Sequence, residues 1–323
     1  MDNGKIALGA TGVEIARLTL GGNTFGWTSG PEESFEVLDA YVAAGGNSVD
    51  TADVYSAWAP GNSGGESEKI LGRWLAARAR TSGPGRDEVV IATKVGVHPE
   101  FRGLSPENVA AACDASLKRL GLDHVDLYFA HFDDDSQPVS AMAEAFSALV
   151  DAGKVRAVGL SNLTAERMRE WADYARDHSL AAPAILQQHY NLVERKAFEG
   201  EYMPLAAQFG MVTESYYALA SGFLTGKYRS AGDIAANAAR GEAAQRYLTP
   251  EGLAVVDALA DVAGAAGASP ASVAIAWQLA KGVGSPVASA RVPSQLVALF
   301  AAIDLKLNAE QVAALDAASA PFA

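Results

Sequence analysis

The sequence predicts an α/β fold, a closed (β/α)8 barrel, on two observations. First, short apolar strands alternate with amphipathic helices, and eight such strand–helix units follow one another along the 323 residues. Strands that alternate with helices imply right-handed crossovers and a parallel sheet. Second, an open sheet that binds a dinucleotide requires a Gly-x-Gly-x-x-Gly turn after its first strand, and residues 21–26 lack that spacing. A closed barrel is therefore favoured over an open doubly wound sheet.

The boundaries of these units follow from the apolar runs and the turn residues between them. We predict strands at residues 18–22, 48–50, 88–94, 125–131, 155–161, 185–188, 211–216 and 285–289. The helix after each strand is predicted, in the same order, at residues 32–44, 67–79, 106–120, 139–152, 165–178, 196–209, 251–264 and 294–303. Extra helices are predicted at 270–281 and 309–318.

A small β-hairpin is predicted before the barrel. The apolar segments 5–8 and 13–15 flank Gly9-Ala10-Thr11-Gly12, a sequence typical of a tight turn. Because the hairpin precedes the first strand–helix unit, we expect it to plug the floor of the barrel.

Composition excludes several classes of protein. Half of the residues are apolar and are spread evenly, so we expect one domain spanning residues 1–323. Lys and Arg total 25 against 38 Asp and Glu, a net charge of -13 with no basic patch. Nucleic acid and anionic membranes require clustered positive charge, so neither is an expected partner. The single cysteine, Cys113, excludes an internal disulfide and suits a reducing cytoplasm.

The sequence also indicates neither a membrane protein nor a metal site. No apolar run approaches the roughly 18 residues of a membrane span and no leader pattern begins the chain, so we expect a cytoplasmic protein. The histidines outside the strand ends lack metal-ligand spacing. The run Asp133-Asp134-Asp135 lacks the spaced oxygen ligands and the glycine of a calcium loop.

Polar, titratable side chains collect where consecutive predicted strands end. Asp50 and Tyr55 follow the second strand, Lys94 ends the third and His131 ends the fourth. In a barrel, the C-terminal ends of the strands face one shared mouth, where active sites are built. These four side chains are therefore expected to meet.

Together these groups can protonate a carbonyl oxygen while a hydride reaches the carbonyl carbon. An ordinary tyrosine has a pKa of about 10 and is a poor acid at neutral pH. We expect the Lys94 ammonium to lower the pKa of Tyr55, with Asp50 holding the lysine in place. His131, neutral at physiological pH, can donate a hydrogen bond to the same oxygen.

Each of these residues also has an ordinary structural interpretation. A lysine or histidine at a strand end is often a structural hydrogen bonder, and a loop tyrosine is often a packing residue. Four of them at the ends of three consecutive strands are hard to explain by packing alone. The set therefore predicts an active site.

Six motifs occur together along nearly the whole chain. They are Asp50-Thr51-Ala52-Asp53-Val54-Tyr55, Gly64-Gly65-Glu66-Ser67-Glu68, Ala92-Thr93-Lys94, Asp126-Leu127-Tyr128-Phe129-Ala130-His131, residues 153–162 and residues 222–228. In this combination the chain resembles the aldo-keto reductases. The resemblance implies a TIM barrel and the reversible reduction of an aldehyde or ketone to an alcohol with NADPH or NADH. It implies no metal.

The resemblance also implies roles for individual residues. Asp50, Tyr55, Lys94 and His131 match the catalytic tetrad. The positions that match cofactor contacts are Gly22, Asn23, Ser161, Asn162, Gln187, Tyr216, Leu219, Leu224, Thr225, Gly226, Lys227, Ser289, Arg291 and Gln295. Ser161, Asn162 and Gln187 match the residues that bind the nicotinamide carboxamide, and Tyr216 matches the aromatic that stacks on its ring. We expect Arg291 to reach a 2′-phosphate and so to favour NADPH.

The substrate pocket is predicted from aromatic residues in loops after the first, second and fourth strands: Phe25, Trp27, Trp58 and Phe132. Such a lining favours a carbonyl compound with apolar surface, although aromatics also stack on sugars. Two departures from the family pattern stand out. Tyr217 replaces a small hydroxyl residue after strand seven, and Ala298-Leu299 replace a Glu-Asn pair that reads adenine.

Two other functions fit the same scaffold. One is a non-enzymatic redox sensor that binds the cofactor and regulates a partner, which a damaged tetrad would favour. The other is isomerisation or enone reduction, usually marked by a substituted tetrad histidine, whereas His131 is intact.

The connection 225–250 is far longer than the usual two to six residues between a strand and its helix. Its core, 230–245, is rich in alanine and glycine and has almost no large apolar side chains. We therefore expect it to lack a buried anchor, to be mobile and to fold over a bound cofactor.

Overall fold

The computed structural model describes residues 4–80, 85–235 and 238–323, and it confirms the predicted barrel. The chain begins with an antiparallel hairpin, β1 (Ile6–Ala7) and β2 (Glu14–Ile15). The barrel strands are β3 (Thr19–Gly21), β4 (Ser48–Asp50), β5 (Val90–Val95), β6 (Val125–Ala130), β7 (Val155–Ser161), β8 (Pro183–His189), β9 (Val212–Tyr216) and β10 (Ser285–Ala288). They are parallel, each pairs with the next, and β10 closes the ring against β3.

Helices surround the barrel at or near their predicted positions. They are α1 (Pro31–Ala43), α2 (Glu66–Arg78), α3 (Pro106–Leu120), α4 (Val139–Asp151), α5 (Ala165–Asp177), α6 (Met203–Phe209), α7 (Ala231–Ala235), α8 (Ala238–Gln245), α9 (Pro250–Ala266), α10 (Pro270–Ala280), α11 (Pro293–Asp304) and α12 (Ala309–Ala318). The predicted helix 196–209 is divided into a π-helical turn, Phe198–Tyr202, and α6.

Local sequence signals set the ends of these helices, as α3 shows. The Ser105 side chain accepts a hydrogen bond from the Asn108 backbone N–H, and Pro106 occupies the first turn, where its missing N–H is not needed. Gly121 ends the helix with a φ of 67°, a conformation that glycine adopts without steric cost. The helix then buries Val109 and its neighbours on one face against the barrel.

The lower part of the barrel interior is apolar and is covered by the hairpin. Leu8, Val13 and Ile15 are fully or almost fully buried and pack against barrel side chains that include Val90 and Leu127. The hairpin thus closes the floor, as predicted. The polar interior lies toward the C-terminal ends of the strands, so chemistry is concentrated at the open mouth.

The long connection after β9 contains more structure than the sequence indicated. The helices α7 and α8 lie within it, and Ile234, Ala244 and Tyr247 are buried. The expectation that the segment lacks a buried anchor is therefore wrong. Residues 236 and 237 lie outside the described residues, and the mobility of 230–245 stays a prediction.

No single helix in the described ranges is both long and apolar enough to cross a membrane. The helices α9 and α10 pass that test of length and composition together, as a pair bent by 95°.

Gly159 gives a test of how tightly the barrel wall is packed. It lies opposite Phe129 on the neighbouring strand, and a Cβ atom at Gly159 would come within 2.3 Å of the buried Phe129 ring. Gly159→Ala should therefore lower the free energy of unfolding by about 1–3 kcal/mol, a typical cost of overpacking, as measured by urea denaturation.

Gly264 in α9 is the matched control. A Cβ atom there would meet nothing within 4 Å, and alanine is the better helix former, so Gly264→Ala should stabilise the protein by roughly 0.5–1 kcal/mol. A Gly159→Ala protein as stable as the Gly264→Ala protein would contradict the rigid contact with Phe129.

Candidate active site

Two of the side chains predicted from the strand ends, Asp50 and Tyr55, meet at the buried ammonium group of a third, Lys94. Lys94 Nζ donates to the Asp50 carboxylate, to the Thr51 backbone carbonyl at 2.9 Å and to the Tyr55 hydroxyl at 3.0 Å. The Tyr55 hydroxyl donates in turn to Asp50 Oδ2 at 3.0 Å. The lysine and the aspartate are almost completely buried, so all three N–H groups of Lys94 find acceptors away from solvent.

The loop after β4 returns Tyr55 to Lys94 because it continues to pair with β5. The backbone N–H groups of Thr51 and Asp53 donate to carbonyls of β5 at 2.8 and 3.2 Å. The Tyr55 N–H then donates to the Ala52 carbonyl at 3.1 Å, which closes a turn. Five residues of sequence thus bring the phenol back over the lysine.

The electrostatics of Tyr55 differ from the sequence expectation. Burial raises the pKa of Tyr55 well above its ordinary value, and the neighbouring Asp50 carboxylate raises it further. The predicted lowering by Lys94 is therefore wrong for the protein in this state. The phenol keeps its proton throughout the physiological pH range, and Lys94 Nζ is positioned to stabilise the phenolate only once that proton leaves.

His131 completes the group as a neutral imidazole. Burial, and then the charge of Lys94, lower the pKa of His131 well below its ordinary value. Its Nδ1 is buried and forms no hydrogen bond with any described residue. Because an N–H at Nδ1 would find no acceptor there, the proton belongs on Nε2. The ring lies along the cavity wall, with its centroid 6.1 Å from that of Tyr55.

A polar cluster that the sequence did not reveal lies inside the barrel below these residues. Gln187 Nε2 donates to Asp50 Oδ1 at 3.0 Å and to Glu214 Oε2 at 2.9 Å. Burial, followed by the charge of Asp50, raises the pKa of Glu214 to about 7. The one signal in the sequence was a carboxylate within strand β9, which cannot be interpreted until the inward face of that strand is known.

Asp53 is a second buried carboxyl group in the loop that carries Tyr55. Neither of its oxygens accepts a hydrogen bond from a residue in the described ranges. Burial raises the pKa of Asp53 to about 8, with a further contribution from Glu68, while Arg119 opposes the shift. Glu68 itself accepts hydrogen bonds from Thr93 and Arg119, so those partners are not directed at Asp53.

A cavity of about 660 Å³ opens above the four residues. Its lining includes Asp50, Tyr55 and His131, while Lys94 lies just beneath. The predicted cofactor and substrate residues that line it are Asn23, Ser161, Asn162, Gln187, Tyr216, Leu219, Thr225, Lys227, Ser289, Arg291, Gln295, Trp27, Trp58 and Phe132.

Four predicted residues are not part of this lining. Phe25 is fully buried in the core, where its backbone carbonyl accepts a hydrogen bond from Ser56. Leu224 is also fully buried, and Gly22 and Gly226 lie beside the cavity rather than along it. An aromatic or apolar residue in a loop can turn inward as readily as outward, and its sequence position does not distinguish these cases.

The end of the cavity nearest Tyr55 is aromatic. The rings of Trp27 and Trp58 meet edge to face with centroids 5.7 Å apart, and the Trp58 centroid lies 6.1 Å from that of Tyr55. Phe132 and Tyr217 also line this cavity and are 43% exposed each, so large apolar surfaces face the opening. Tyr217 is therefore an addition to the substrate-pocket residues predicted from the sequence.

Polar groups define the wall beyond the tetrad. Asn162, whose φ is 56°, donates from Nδ2 to the His131 carbonyl at 2.8 Å and accepts from the Tyr216 hydroxyl at 2.7 Å. Tyr216 stacks on His189 with centroids 5.3 Å apart and 15° between the rings. Its ring is thereby held in a fixed orientation along the cavity.

The next part of the cavity suits a phosphate group. The 3₁₀ turn Ala220–Thr225 contains Ser221 and Gly222 with left-handed backbone angles. A Cβ atom at Gly222 would come within 2.9 Å of Lys227 Nζ, so the lysine approaches this turn because the residue is glycine. A cation beside a tight turn provides the charge and geometry that an anion requires. The donor set therefore fits an extended dinucleotide cofactor.

No group of three or more His, Cys, Asp or Glu residues that could hold a metal ion occurs in the parts of the chain that the structure describes.

Comparison with known proteins agrees with this geometry. The profile of the aldo/keto reductase family matches residues 17–320. The chain is 32% identical to a probable voltage-gated potassium channel subunit beta of Oryza sativa subsp. japonica, over 92% of this chain and 90% of that protein. It is 32% identical to the uncharacterized oxidoreductase YrpG of Bacillus subtilis (94% and 92%) and 31% identical to the aldo-keto reductase str7 of Strobilurus tenacellus (96% and 87%).

The raised pKa of Asp53 predicts a specific pH dependence of stability. The folded protein holds a proton that the unfolded chain has released, so this group lowers the free energy of unfolding as pH rises from about 4 to about 8. Asp53→Asn removes that titration. The stability of the variant relative to the parent should grow by about 2–5 kcal/mol across this window, as measured by urea denaturation at several pH values.

The exposed Asp135 supplies the control, because Asp135→Asn should leave the pH dependence of the parent unchanged. A constant difference between Asp53→Asn and the parent from pH 4.5 to 9 would show that Asp53 is not held protonated in the fold.

Proposed function

Because the chain belongs to the aldo/keto reductase family, whose members generally use NAD(P)H, we propose that it is an NADPH-dependent reductase that converts an aldehyde or ketone to the alcohol. The observation that carries the proposal is the Tyr55 hydroxyl, placed on the cavity wall and 3.0 Å from the buried Lys94 ammonium. We further propose that residues 1–323 form one domain that acts in the cytoplasm.

The four residues have distinct tasks in this mechanism. A nicotinamide cofactor held along the cavity would supply the hydride that the carbonyl carbon receives. His131 donates an Nε2–H hydrogen bond to the carbonyl oxygen and orients it toward Tyr55. Tyr55 transfers its proton to the alkoxide as that charge develops, and Lys94 stabilises the resulting phenolate. Asp50 holds Lys94 in place, which keeps the ammonium directed at the phenol.

The raised pKa of Tyr55 is compatible with this task. A phenol that holds its proton firmly does not lose it to water before the substrate arrives. The alkoxide that forms on the substrate is a far stronger base than a phenolate, so proton transfer to it is favourable.

The cavity lining supports specific roles in holding the cofactor. Ser161, Asn162 and Gln187 would bind the nicotinamide carboxamide, and Tyr216 would stack on the ring. Thr225 and Lys227 would hold the pyrophosphate, while Arg291 and Gln295 would meet the 2′-phosphate. Ala298 and Leu299 line the same end of the cavity, so we propose that the adenine is held by apolar contact rather than by a polar pair.

The aromatic end of the cavity supports a carbonyl substrate with a substantial apolar surface. Trp27, Trp58, Phe132 and Tyr217 provide flat faces next to Tyr55. The alternative of a non-enzymatic redox sensor finds support in the names of some relatives, which are described as potassium channel beta subunits. The complete hydrogen-bonded group around Lys94 favours the enzyme.

Tyr55→Phe tests the proton donor. Removing the hydroxyl takes away the group assigned as the proton donor to the alkoxide, so turnover of a good carbonyl substrate should fall by roughly 10²- to 10⁴-fold or more. The affinity for NADPH should stay within a few-fold of the parent. Turnover is followed by the absorbance of the reduced cofactor.

Tyr174→Phe, which removes an exposed hydroxyl bonded to Glu144 on the outer helices, should leave turnover unchanged. A Tyr55→Phe enzyme that keeps turnover within a few-fold of the parent would eliminate the proposed mechanism.

Arg291→Ala tests the preference for NADPH. Arg291 and Gln295 both line the cavity, and the Arg291 backbone N–H donates to Gln295 Oε1 at 2.7 Å, which holds the two residues together. Its loss should weaken NADPH binding by about 1.5–3 kcal/mol, the range for a hydrogen bond to a charged group, and leave NADH nearly unaffected.

Dissociation constants for both cofactors measure the effect, with the exposed Arg73→Ala on α2 as the control for a general change in charge. Equal weakening of NADPH and NADH would refute the contact with the 2′-phosphate.

A further inference from the structure

The Gln187 side chain lies between two buried carboxylates. Its Nε2 donates one hydrogen to Asp50 Oδ1 at 3.0 Å and the other to Glu214 Oε2 at 2.9 Å. The Asp50 carboxylate, paired with the Lys94 ammonium, only accepts hydrogen bonds, so the amide must present Nε2 rather than its oxygen on that side. Both hydrogens of the amide are therefore used, and Gln187 Oε1 must point away from the two acids.

Glu214 is itself held in one position. Its Oε1 accepts a hydrogen bond from the Thr19 hydroxyl at 2.7 Å. The Thr19 hydroxyl also lies 2.8 Å from the Ser48 hydroxyl and 2.9 Å from the Ser285 hydroxyl. Hydroxyl groups from β3, β4 and β10 thus form a network that holds Glu214 in place. The glutamate is 1% exposed, which leaves it no alternative partner in solvent. A fixed acceptor thus faces one side of the Gln187 amide.

Gln187 Oε1 is the free end of this arrangement. No residue in the described ranges donates a hydrogen bond to it, and Gln187 contributes to the lining of the cavity between Asn162 and the tetrad. A hydrogen-bond acceptor that is fixed in orientation at a cavity wall favours binding of ligands that place an N–H donor at that point. The carboxamide of nicotinamide is such a ligand.

We propose that Glu214 is a positioning residue for cofactor recognition: together with Asp50 it fixes the Gln187 amide so that Oε1 accepts a hydrogen bond from the carboxamide N–H of the nicotinamide. The inference rests on the proposed function, which places the nicotinamide at Gln187. Glu214 acts only through Gln187.

The cost of this arrangement argues against simple packing. A second carboxylate beside Asp50 is unfavourable in a buried site, as the raised pKa of Glu214 shows. Val212 and Tyr216, which lie on the same face of β9 as Glu214, are uncharged. An apolar residue at position 214 would likewise fill the space without adding a charge next to Asp50. A hydrogen bond to Gln187 gives this carboxylate a task that an apolar residue cannot perform.

Two substitutions separate the hydrogen bond from the fold. Glu214→Leu has similar volume but offers no acceptor to Gln187. Glu214→Gln removes the charge, keeps a side-chain oxygen that can accept the same hydrogen bond from Gln187, and turns its NH₂ toward the Thr19 hydroxyl, which can accept. The ligand probes are NADP⁺ and its 3-acetylpyridine analogue, in which a methyl group replaces the carboxamide NH₂. Quenching of tryptophan fluorescence reports binding, because Trp27 and Trp58 line the cavity.

The proposal predicts selective loss. Glu214→Leu should weaken NADP⁺ binding by about 10-fold, the equivalent of one hydrogen bond, and weaken the analogue by less than about 2-fold. Glu214→Gln should bind both ligands within about 3-fold of the parent. Equal weakening of both ligands by Glu214→Leu, or no weakening of either, would overturn the proposal.

A second variant covers the case in which Glu214→Leu does not fold. Thr19→Val removes the hydroxyl that supports Glu214 and should weaken NADP⁺ by about 3-fold with no change for the analogue. An equal effect on both ligands again overturns the proposal. The parent protein is measured first. If the parent does not bind NADP⁺, the proposed function itself is refuted. If the parent binds normally and the variants lose both ligands equally, only the role of Glu214 is refuted.

Discussion

The buried ion pair between Lys94 and Asp50 is the interaction on which the site depends. Removing both charges from water is costly, and such a pair persists only where the remaining hydrogen-bonding capacity is used. Here every N–H of Lys94 has an acceptor, and Asp50 accepts further hydrogen bonds from Tyr55 and Gln187. The pair therefore determines where the phenol, the amide and the backbone of the following loop must lie.

The interior of the barrel divides into an apolar floor and a polar upper region. Below, side chains from β5, β6 and β7 pack with the hairpin in an apolar cluster, and a larger apolar core includes side chains from the strands and from the surrounding helices. Above, two carboxylates, an ammonium, an amide and several hydroxyl groups lie almost completely buried in a small volume at the base of the cavity. Burial of these apolar side chains offsets the cost of placing charged and polar groups in the upper region.

Much of this arrangement could be predicted from the order of residues. Alternation of strands and helices is a strong periodic signal, and polar residues at strand ends identify the mouth of a barrel. The proximity of Asp50, Tyr55 and Lys94 therefore follows from their positions at the ends of neighbouring strands. Features that depend on how deeply a residue is buried could not be predicted in this way. The sign of the pKa shift of Tyr55 is set by burial, which the sequence does not reveal.

The inward or outward orientation of single residues was equally hidden. Phe25 and Tyr217 are both aromatic residues near strand ends, yet one lies in the core and the other on the cavity wall. Glu214 resembles any polar residue in a strand until the register shows that it faces Gln187 inside the barrel. The helices α7 and α8 were missed because their alanine-rich sequence has no clear apolar stripe.

The ring of strands has a chemical meaning beyond its topology. Asp50, Tyr55, Lys94 and His131 lie in or shortly after β4, β5 and β6, while most of the polar groups facing them come from β7 onward, so the two halves of the chain each hold part of the candidate site. The halves meet along two seams, between β6 and β7 and between β10 and β3. At the second seam the Ser289 hydroxyl donates to Asn23 Oδ1 at 2.6 Å, and both residues line the cavity. A barrel opened along that seam would keep Asp50, Tyr55, Lys94 and His131 together but lose the wall opposite them, so the complete cavity is a property of the closed ring and not of either half.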